Sequence, residues 1–470
     1  MGLIFNKIKL SSFLNDEFLR LDEKYRVFAD VQKYKAWDIS NCYSLSFALK
    51  ELSSPKLKKG ELEDEYILID LANIERRGNS IVNAERINEI GSDKSLLKNG
   101  DIVIPKMEPK KGQFFLNTQH NEYLGSTELV EYEINKNNFN PLFLYYLLVN
   151  PCFLSVLACL ESGKTHKRVN SSDLLKIQIP KVSIEIQDAI AEKIAILETK
   201  IITLKNSKLK PIDIINQVIG EAFCFDWNAF EKIKSKRQFI ATFTDFSKNV
   251  DCRFSYKFHN QAGQFIYDFL CSKTKTRIKH FISEPIVLGK SVSPSNYDDE
   301  GEFYYIAMSN IKTWAFDPEG CKKVSENYSS ANPNKTVKKD DILLARSGEG
   351  TIGKVALIED EDIQGIFADF TQRIRLKNYN HRLAYYYFRS DFFQYLVYTH
   401  KKGLGNNTNI FPSQIQEFPI PDWTEEKQAE IVKKIQTQID AQSHIDREIE
   451  KNRAKINLII EEAIRNPANV

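Results

Sequence analysis

Short apolar runs rich in Val, Ile, Leu and Tyr, among them EYILIDL, GDIVIP, FYYIAM, DDILLA and KVALIE, are bounded by Gly, Asn, Asp and Pro. That is the pattern of strands joined by tight turns. Two apolar helical stretches, PLFLYYLLVNPCFLSVLACL and RLAYYYFRSDFFQYLVYTH, interrupt them. Each is followed by a polar loop, an Ile-Pro dipeptide that ends a last strand, and a longer helix. In the first long helix Ile190, Ile194, Leu197, Ile201 and Leu204 step alternately by four and three; in the second, Ile431, Ile435, Gln438, Gln442, Ile445, Ile449, Asn452, Ile456 and Ile459 do the same. This stepping predicts an antiparallel coiled coil in which Gln and Asn fix the register. The alternative is that each stripe packs on its own domain. Ser183 and Thr424 stand as N-caps, and Pro211 breaks or kinks the first run.

Laid over itself, the chain repeats. Asp22 in RLDEKYRVF aligns with Asp251 in NVDCRFSYKF, Pro55 with Pro285, Asn73 in YILIDLANIE with Asn310 in YYIAMSNIK, and Asp101 in GDIVIPK with Asp341 in DDILLAR. LYYLLVNPCF then matches AYYYFRSDFF, and IQIPKVSIEIQDAIAEKI matches FPIPDWTEEKQAEIVKKI. The offset grows in one direction while the order is kept, as loop insertions in a duplicated unit produce. The chain is therefore read as α+β, built twice from one plan.

Composition narrows the function classes only a little. Across 470 residues, 42% hydrophobic and 27% charged, the content fits folded domains rather than disorder. The 65 basic and 63 acidic residues nearly cancel, so a nucleic-acid site would need locally focused charge. Seven cysteines, at 42, 152, 159, 224, 252, 271 and 321, never approach C-x-x-C spacing. This argues against cysteine-ligated zinc and for reduced, buried thiols. The start MGLIFNKIKL lacks a signal-peptide profile, and Asn6 stands where myristoylation wants Ser or Thr. The most apolar run is broken by Asn150 and Pro151, so it reads as buried helix, and the expected location is cytoplasmic.

One stretch imitates nucleotide-binding loops. In ARSGEGTIGKVALIED, Gly348, Gly350, Gly353 and Val355 fit G-x-G-x-x-G-x-V, and Gly348 to Lys354 is most of a Walker A loop. No V-A-I-K lysine follows, Val355 replaces the magnesium-binding hydroxyl, and KVALIE continues as strand where a helix should begin. SGKT at Ser162 to Thr165 fails too, because Ala158 replaces the first loop glycine. The glycines instead permit a tight hairpin whose tip presents Arg346, Ser347, Thr351 and Lys354. The matching tip in the first copy, KMEPKKGQF, carries Lys106, Lys110 and Lys111, with Gly112 aligned on Gly353. A second loop follows the apolar helices in each copy: Lys164, Thr165, His166, Lys167 and Arg168 in the first, Lys401, Lys402, Asn406, Asn407 and Asn409 in the second. Arg reads guanine, Asn reads adenine, and Lys, Ser and Thr hold phosphate, so both loops carry the residues of groove readout. The alternative is that they are solvated loops of ordinary charge.

Together, the duplicated D-x-x-Y/F starts, the NI strand ends, DILLARSGEGTIGKVAL followed by TQRIRL, and the IP…E-x-Q…K-I transitions at Ile179 to Ile194 and Ile420 to Ile435 resemble the specificity subunits of type I restriction-modification systems. The resemblance covers essentially the whole chain. It implies two target-recognition domains, each a curved mixed or antiparallel sheet with flanking helices, separated by two long helices that pair as an antiparallel coiled coil. On this chain that places recognition domains at 1–182 and 225–422 and spacer helices at 183–224 and 423–470. It further implies a non-catalytic subunit that reads a split site on double-stranded DNA and directs adenine methylation and restriction by its partners. Those would be two modification (methyltransferase) subunits and, where the restriction arm is present, restriction or translocase subunits. No cofactor and no metal are implied for this chain, since S-adenosylmethionine, ATP and magnesium would belong to the partners. The tip of the first copy departs from the pattern in lacking the glycine-rich turn.

The rival readings are a metal- or ATP-dependent nucleic-acid enzyme and a duplicated adaptor that bridges proteins without reading DNA. Asp101, Glu108 and Lys110 imitate a nuclease D…E-x-K, but Asp101 aligns with Asp341 and reads as a turn residue. NPCF at Asn150 to Phe153 lacks the second proline of an adenine methyltransferase motif.

Overall fold

A computed structural model describes residues 41–465 except 63, 164, 237, 248–252 and the side chains at 247 and 406. The paired starts at Asp22 and Asp251 lie outside the described residues. Contacts divide the chain into unit 1, Met1–Ser207 with Ile445–Val470, and unit 2, Lys208–His444. Seven helices organise the two cores: α1 (Pro141–Leu148), α2 (Pro151–Leu160), α3 (Ile184–Ser207), α4 (Pro211–Phe223), α5 (His381–Arg389), α6 (Asp391–His400) and α7 (Glu425–Arg465).

In unit 1 a four-stranded antiparallel sheet runs in the order Leu49–Glu51, Leu129–Ile134, Ile102–Pro105, Phe115–Leu116. Five short strands, in the order Lys56–Leu57, Lys94–Leu97, Tyr123–Ser126, Tyr66–Ile69, Glu85–Ile87, form a second sheet with one parallel pairing, Tyr66–Ile69 along Tyr123–Ser126. Unit 2 repeats the plan. Its antiparallel sheet runs Val287–Leu288, Thr371–Ile374, Ile342–Ala345, Val355–Leu357, and its second sheet pairs Phe303–Ile306 in parallel with Gly365–Phe367. The central strands IVIP and ILLA are buried throughout, which is why they carry no polar alternation.

Aligned polar residues do aligned jobs. Asn73 Oδ1 accepts from Asp70 N (2.9 Å), and Asn310 Oδ1 accepts from Ala307 N (3.1 Å), closing the same turn after each parallel strand. Asn140 caps α1 by accepting from Leu142 N, and Asn380 caps α5 by accepting from Leu383 N, each at 3.0 Å. The apolar run of the first copy becomes two helices, α1 and α2, bent by 59° where Asn150 caps a helix with Pro151 in its first turn. No single helix among the described residues is long and apolar enough to cross a membrane. The cysteines are less uniformly buried than expected: Cys159 is buried and Cys224 exposed.

In unit 1 the α3 residues Ile190, Ile194 and Ile201 share one core with Ile449, Ile456 and Ile460 of α7, flanked by half-buried Leu197, Leu204 and Ile445. Glu75 takes Lys205 and Arg453 together, while Lys193 and Leu197 line one groove with Ile459 and Glu462, so the helices run antiparallel. Asn452 is buried in the seam, and beyond it the stripe runs through buried Ile456 and half-buried Ile459 and broadens to include Ile460 and Ile464. In unit 2, Ile431 and Ile435 pack with Ile214, Ile215 and Val218 of α4. Leu209 N donates to Gln442 Oε1 (2.9 Å) and Lys434 meets Glu221, an antiparallel order again. Pro211 therefore starts a helix, because α3 has already ended at Ser207.

The E-x-Q motif has one role in both units. Gln187, buried at the start of α3, accepts from Asn140 N and donates to Asn138 O and Val182 O, all at 2.9 Å. Gln428 of α7 accepts from Asn380 N (2.8 Å) and donates to Trp423 O (2.7 Å). Each glutamine thus locks a long helix to the cap of the core helix beside it. Replacing Gln187 with Ala strands several buried polar groups and is expected to lower unit 1 stability by about 2 kcal/mol. Gln428→Ala is expected to do the same to unit 2, and urea unfolding of the two variants checks both.

Candidate nucleic-acid interface

The hairpin tip and the loop after the apolar helices, far apart in sequence, are joined by main-chain hydrogen bonds in each unit. In unit 1, Val169 N donates to Lys106 O (3.0 Å), Glu108 N donates to Lys167 O (2.9 Å), and Met107 forms an antiparallel bridge with Arg168. In unit 2, Ile410 N donates to Arg346 O (2.9 Å), Gly348 N donates to Thr408 O (3.3 Å), and Ser347 forms the same bridge with Asn409. The second loop also closes on itself, through Ser162 and Arg168 in one unit and Lys402 and Asn409 in the other. A third segment seals each base, with Lys106 N on Glu128 O and Arg346 N on Phe370 O. The result is a two-loop ridge at the end of the antiparallel sheet. Gly112 and Gly353, aligned in sequence, both take positive φ, 64° and 87°, where each tip turns back into the sheet.

Side-chain chemistry differs between the ridges. In unit 1, Arg168 forks onto Glu128 (2.7 Å at its shortest), Lys110 meets buried Glu161 (2.7 Å), and Lys111 meets Glu108 (2.5 Å). The Glu128 carboxyl is held below its ordinary range by the hydrogen bond from Arg168, which is itself pushed up by the same bond. Thr165, His166 and Arg168 are exposed, Lys106 and Lys167 half-buried. Lys164 and the Asn406 side chain lie outside the described residues.

In unit 2, Glu349 organises the ridge. It accepts from Lys401 Nζ (2.9 Å), Lys257 Nζ (3.1 Å) and Thr408 Oγ1 (3.2 Å). The two ammonium groups, Lys401 first, hold its pKa down to about 2. A lone acid between Gly348 and Gly350 in an otherwise basic tip is the sequence signal for this clamp. Lys401 is only 6% exposed and Ser347 8%, with the serine hydroxyl donating to Thr408 O (3.1 Å), so both side chains are committed to the scaffold. Thr351 likewise donates to Ser347 O (2.8 Å). Arg346 donates to Asp369 O (2.8 Å) and Asn409 Oδ1 (3.1 Å) and lies over the Phe370 ring. Lys354 lies 5.9 Å over Trp314. Lys402 and Asn407 are exposed.

The features that imitated enzymes take structural roles. Val355–Leu357 continues as strand after Lys354, leaving no helix N-terminus at the glycine loop. Asp101 is buried and its Oδ2 accepts from Ile134 N (2.9 Å), while Glu108 and Lys110 are paired with other residues.

A family profile described as the type I restriction modification DNA specificity domain matches residues 44–213 and again 285–453, together more than half of the chain. The chain belongs to this family. Each match contains one complete two-loop ridge. As a rule members of the family are non-catalytic recognition components, with catalysis on partner subunits. No curated protein sequence matches. Among solved structures the chain is similar to one described as the structural basis of complex assembly and conformational transition of a type I R-M system, at 14% identity over 91% of this chain and 98% of that one, with a TM-score of 0.44. It is similar to the HsdS subunit from Thermoanaerobacter tengcongensis at 14% identity, over 92% and 98% of the two chains, with a TM-score of 0.32. It is also similar to the type I S subunit from M. genitalium at 13% identity, over 90% and 95%, with a TM-score of 0.40.

The ridge of unit 2 carries its own pH dependence. His400, at the end of α6 where the second loop begins, is half-buried, its ring packed against Phe418 and Phe258, and this desolvation lowers its pKa to about 4 from an ordinary 6.5. The unfolded chain therefore binds the proton more tightly than the folded one. The stability contributed by neutral His400 is complete above about pH 6.5 and is lost as pH falls towards 4. Urea midpoints of unit 2 are expected to decline across that window, and to decline less in His400→Gln, whose side chain does not titrate.

Proposed function

We propose that each ridge reads one half of a split site on double-stranded DNA, and that the chain directs adenine methylation by two modification subunits without itself performing a chemical step. Restriction or translocase subunits would join the same assembly, in the cytoplasm where the DNA is. S-adenosylmethionine, ATP and magnesium would be held by those partners. The four-part division, with recognition domains at 1–182 and 225–422 and spacer helices at 183–224 and 423–470, belongs to the same reading. The observation that carries it is the recurrence of one loop pair, joined by equivalent main-chain bonds on equivalent sheets, with different side chains in the two copies. A duplicated scaffold with divergent ridge chemistry is what reading two different half-sites requires.

Within unit 2, Asn407 and Arg346 are assigned to base edges and Lys402 to phosphate, while Ser347, Thr351, Lys354, Lys401 and Asn409 hold the ridge in shape. Within unit 1, Lys106, Thr165, His166, Lys167 and Arg168 are assigned to DNA contact, with Lys164 assigned on sequence alone, and Lys110 and Lys111 brace the tip.

Deleting the gene is expected to remove adenine methylation at a single split motif with a fixed internal gap, read from the methylome of the source cells. An unchanged methylome from a strain with an active system would overturn the assignment. Asn407→Ala or Arg346→Ala is expected to relax discrimination in one half-site only, by about 1–3 kcal/mol. Lys402→Ala is instead expected to weaken binding on every sequence and to reduce the salt slope by about one. Equilibrium binding to sites varied one base at a time separates these outcomes.

A further inference from the structure

The two second loops are closed by equivalent bridges, Ser162 with Arg168 and Lys402 with Asn409, and enter their apices through aligned glycines, Gly163 at φ 110° and Gly403 at φ 106°. The residue after that glycine is Lys164 in the first copy and Leu404 in the second. Leu404 is 89% exposed and extended (φ −127°, ψ 147°). A side chain at Gly403 would strike Asn407 O at 2.3 Å, and Gly405 opens onto empty space. The leucine is thus flanked on both sides by residues without side chains. At the third segment the copies diverge in the same direction. Glu128, paired with Arg168 in unit 1, is matched by Phe370 in unit 2, 46% exposed beneath the Arg346 guanidinium.

A single exposed leucine on a surface is ordinary. This one stands at the apex of a DNA-facing loop with the exposed amide of Asn407 three residues on, and Asn407 N donates to Leu404 O (3.1 Å), tying the two together. In the major groove an Asn side chain pairs with the edge of adenine, and the other base of that pair presents a 5-methyl group that only an apolar side chain contacts favourably. We propose that Leu404 packs on a thymine methyl in the half-site read by unit 2, which makes it a specificity determinant for an A·T pair. This rests on the reading of the ridges as DNA-contacting surfaces. In the first copy the sequence puts a lysine, Lys164, at the aligned position.

The test replaces each thymine of the selected site in turn by deoxyuridine, which removes only the methyl group. It measures binding by the full chain with its co-purifying subunits, as wild type, Leu404→Ala and Leu404→Met. The expected result is that one thymine, in the half-site whose discrimination Asn407→Ala relaxes, costs wild type roughly three- to fivefold in affinity when replaced. Leu404→Ala loses a similar factor on the thymine site and becomes indifferent to the replacement, with an unchanged salt slope, while Leu404→Met keeps the discrimination. Because the side chain is exposed, Leu404→Ala should retain the wild-type unfolding midpoint. A Leu404→Ala protein that still distinguishes thymine from deoxyuridine, one that binds like wild type, or a half-site without an A·T pair overturns the proposal while leaving DNA recognition intact. Wild-type complex with no sequence preference overturns the underlying reading instead.

Discussion

Everything the ridges do depends on main-chain hydrogen bonding between two loops that the sequence separates by more than fifty residues. Buried amides and carbonyls must be paired, and here each loop supplies partners to the other: Val169 to Lys106 in one unit, Ile410 to Arg346 in the other. No side chain is needed for these bonds. The join between the loops is therefore largely independent of what its exposed residues are, and the two copies keep the same bridge while differing in side chain, Arg168 in one and Asn409 in the other. Partly solvated ion pairs such as Lys111 with Glu108 add little by comparison.

Beneath the ridges, the load passes to buried polar anchors rather than to apolar packing alone. Gln187 and Gln428 fix where each long helix leaves its domain, because a glutamine with both ends bonded tolerates no slip of register. Asp341 does similar work beside the hairpin: both its oxygens take the Arg375 guanidinium at 2.7 Å. The apolar residues supply most of the favourable free energy, and these few polar ones decide the alignment.

Much of the fold is legible in the sequence because period and punctuation are local. The strands IVIP and ILLA, the Asn-Pro start of α2 and the isoleucine stepping of α3 and α7 all follow from neighbours a few positions apart. The five-stranded sheet is harder, since two-residue strands such as Lys56–Leu57 carry no periodicity. The candidate site is legible as two loops in each copy, but not in which of their cations face solvent. That depends on carboxylates far along the chain: Glu161 for Lys110, Glu128 for Arg168, Glu349 for Lys401. Pro211 misleads for a related reason. A proline inside an apolar stripe suggests a kink, and only the end of α3 at Ser207 shows that it sits where a new helix begins.

The helix α7 serves two cores, its first stretch filling unit 2 and its last, from Ile445, filling unit 1. Unit 1 is thus interrupted by the whole of unit 2. During synthesis the ribosome finishes unit 2 while the earlier domain still lacks Ile449, Ile456 and Ile460, so the domain encoded first is completed last. Loss of the stretch from Ile445 onward would spare the second domain and injure the first, because it uncovers the apolar face of α3.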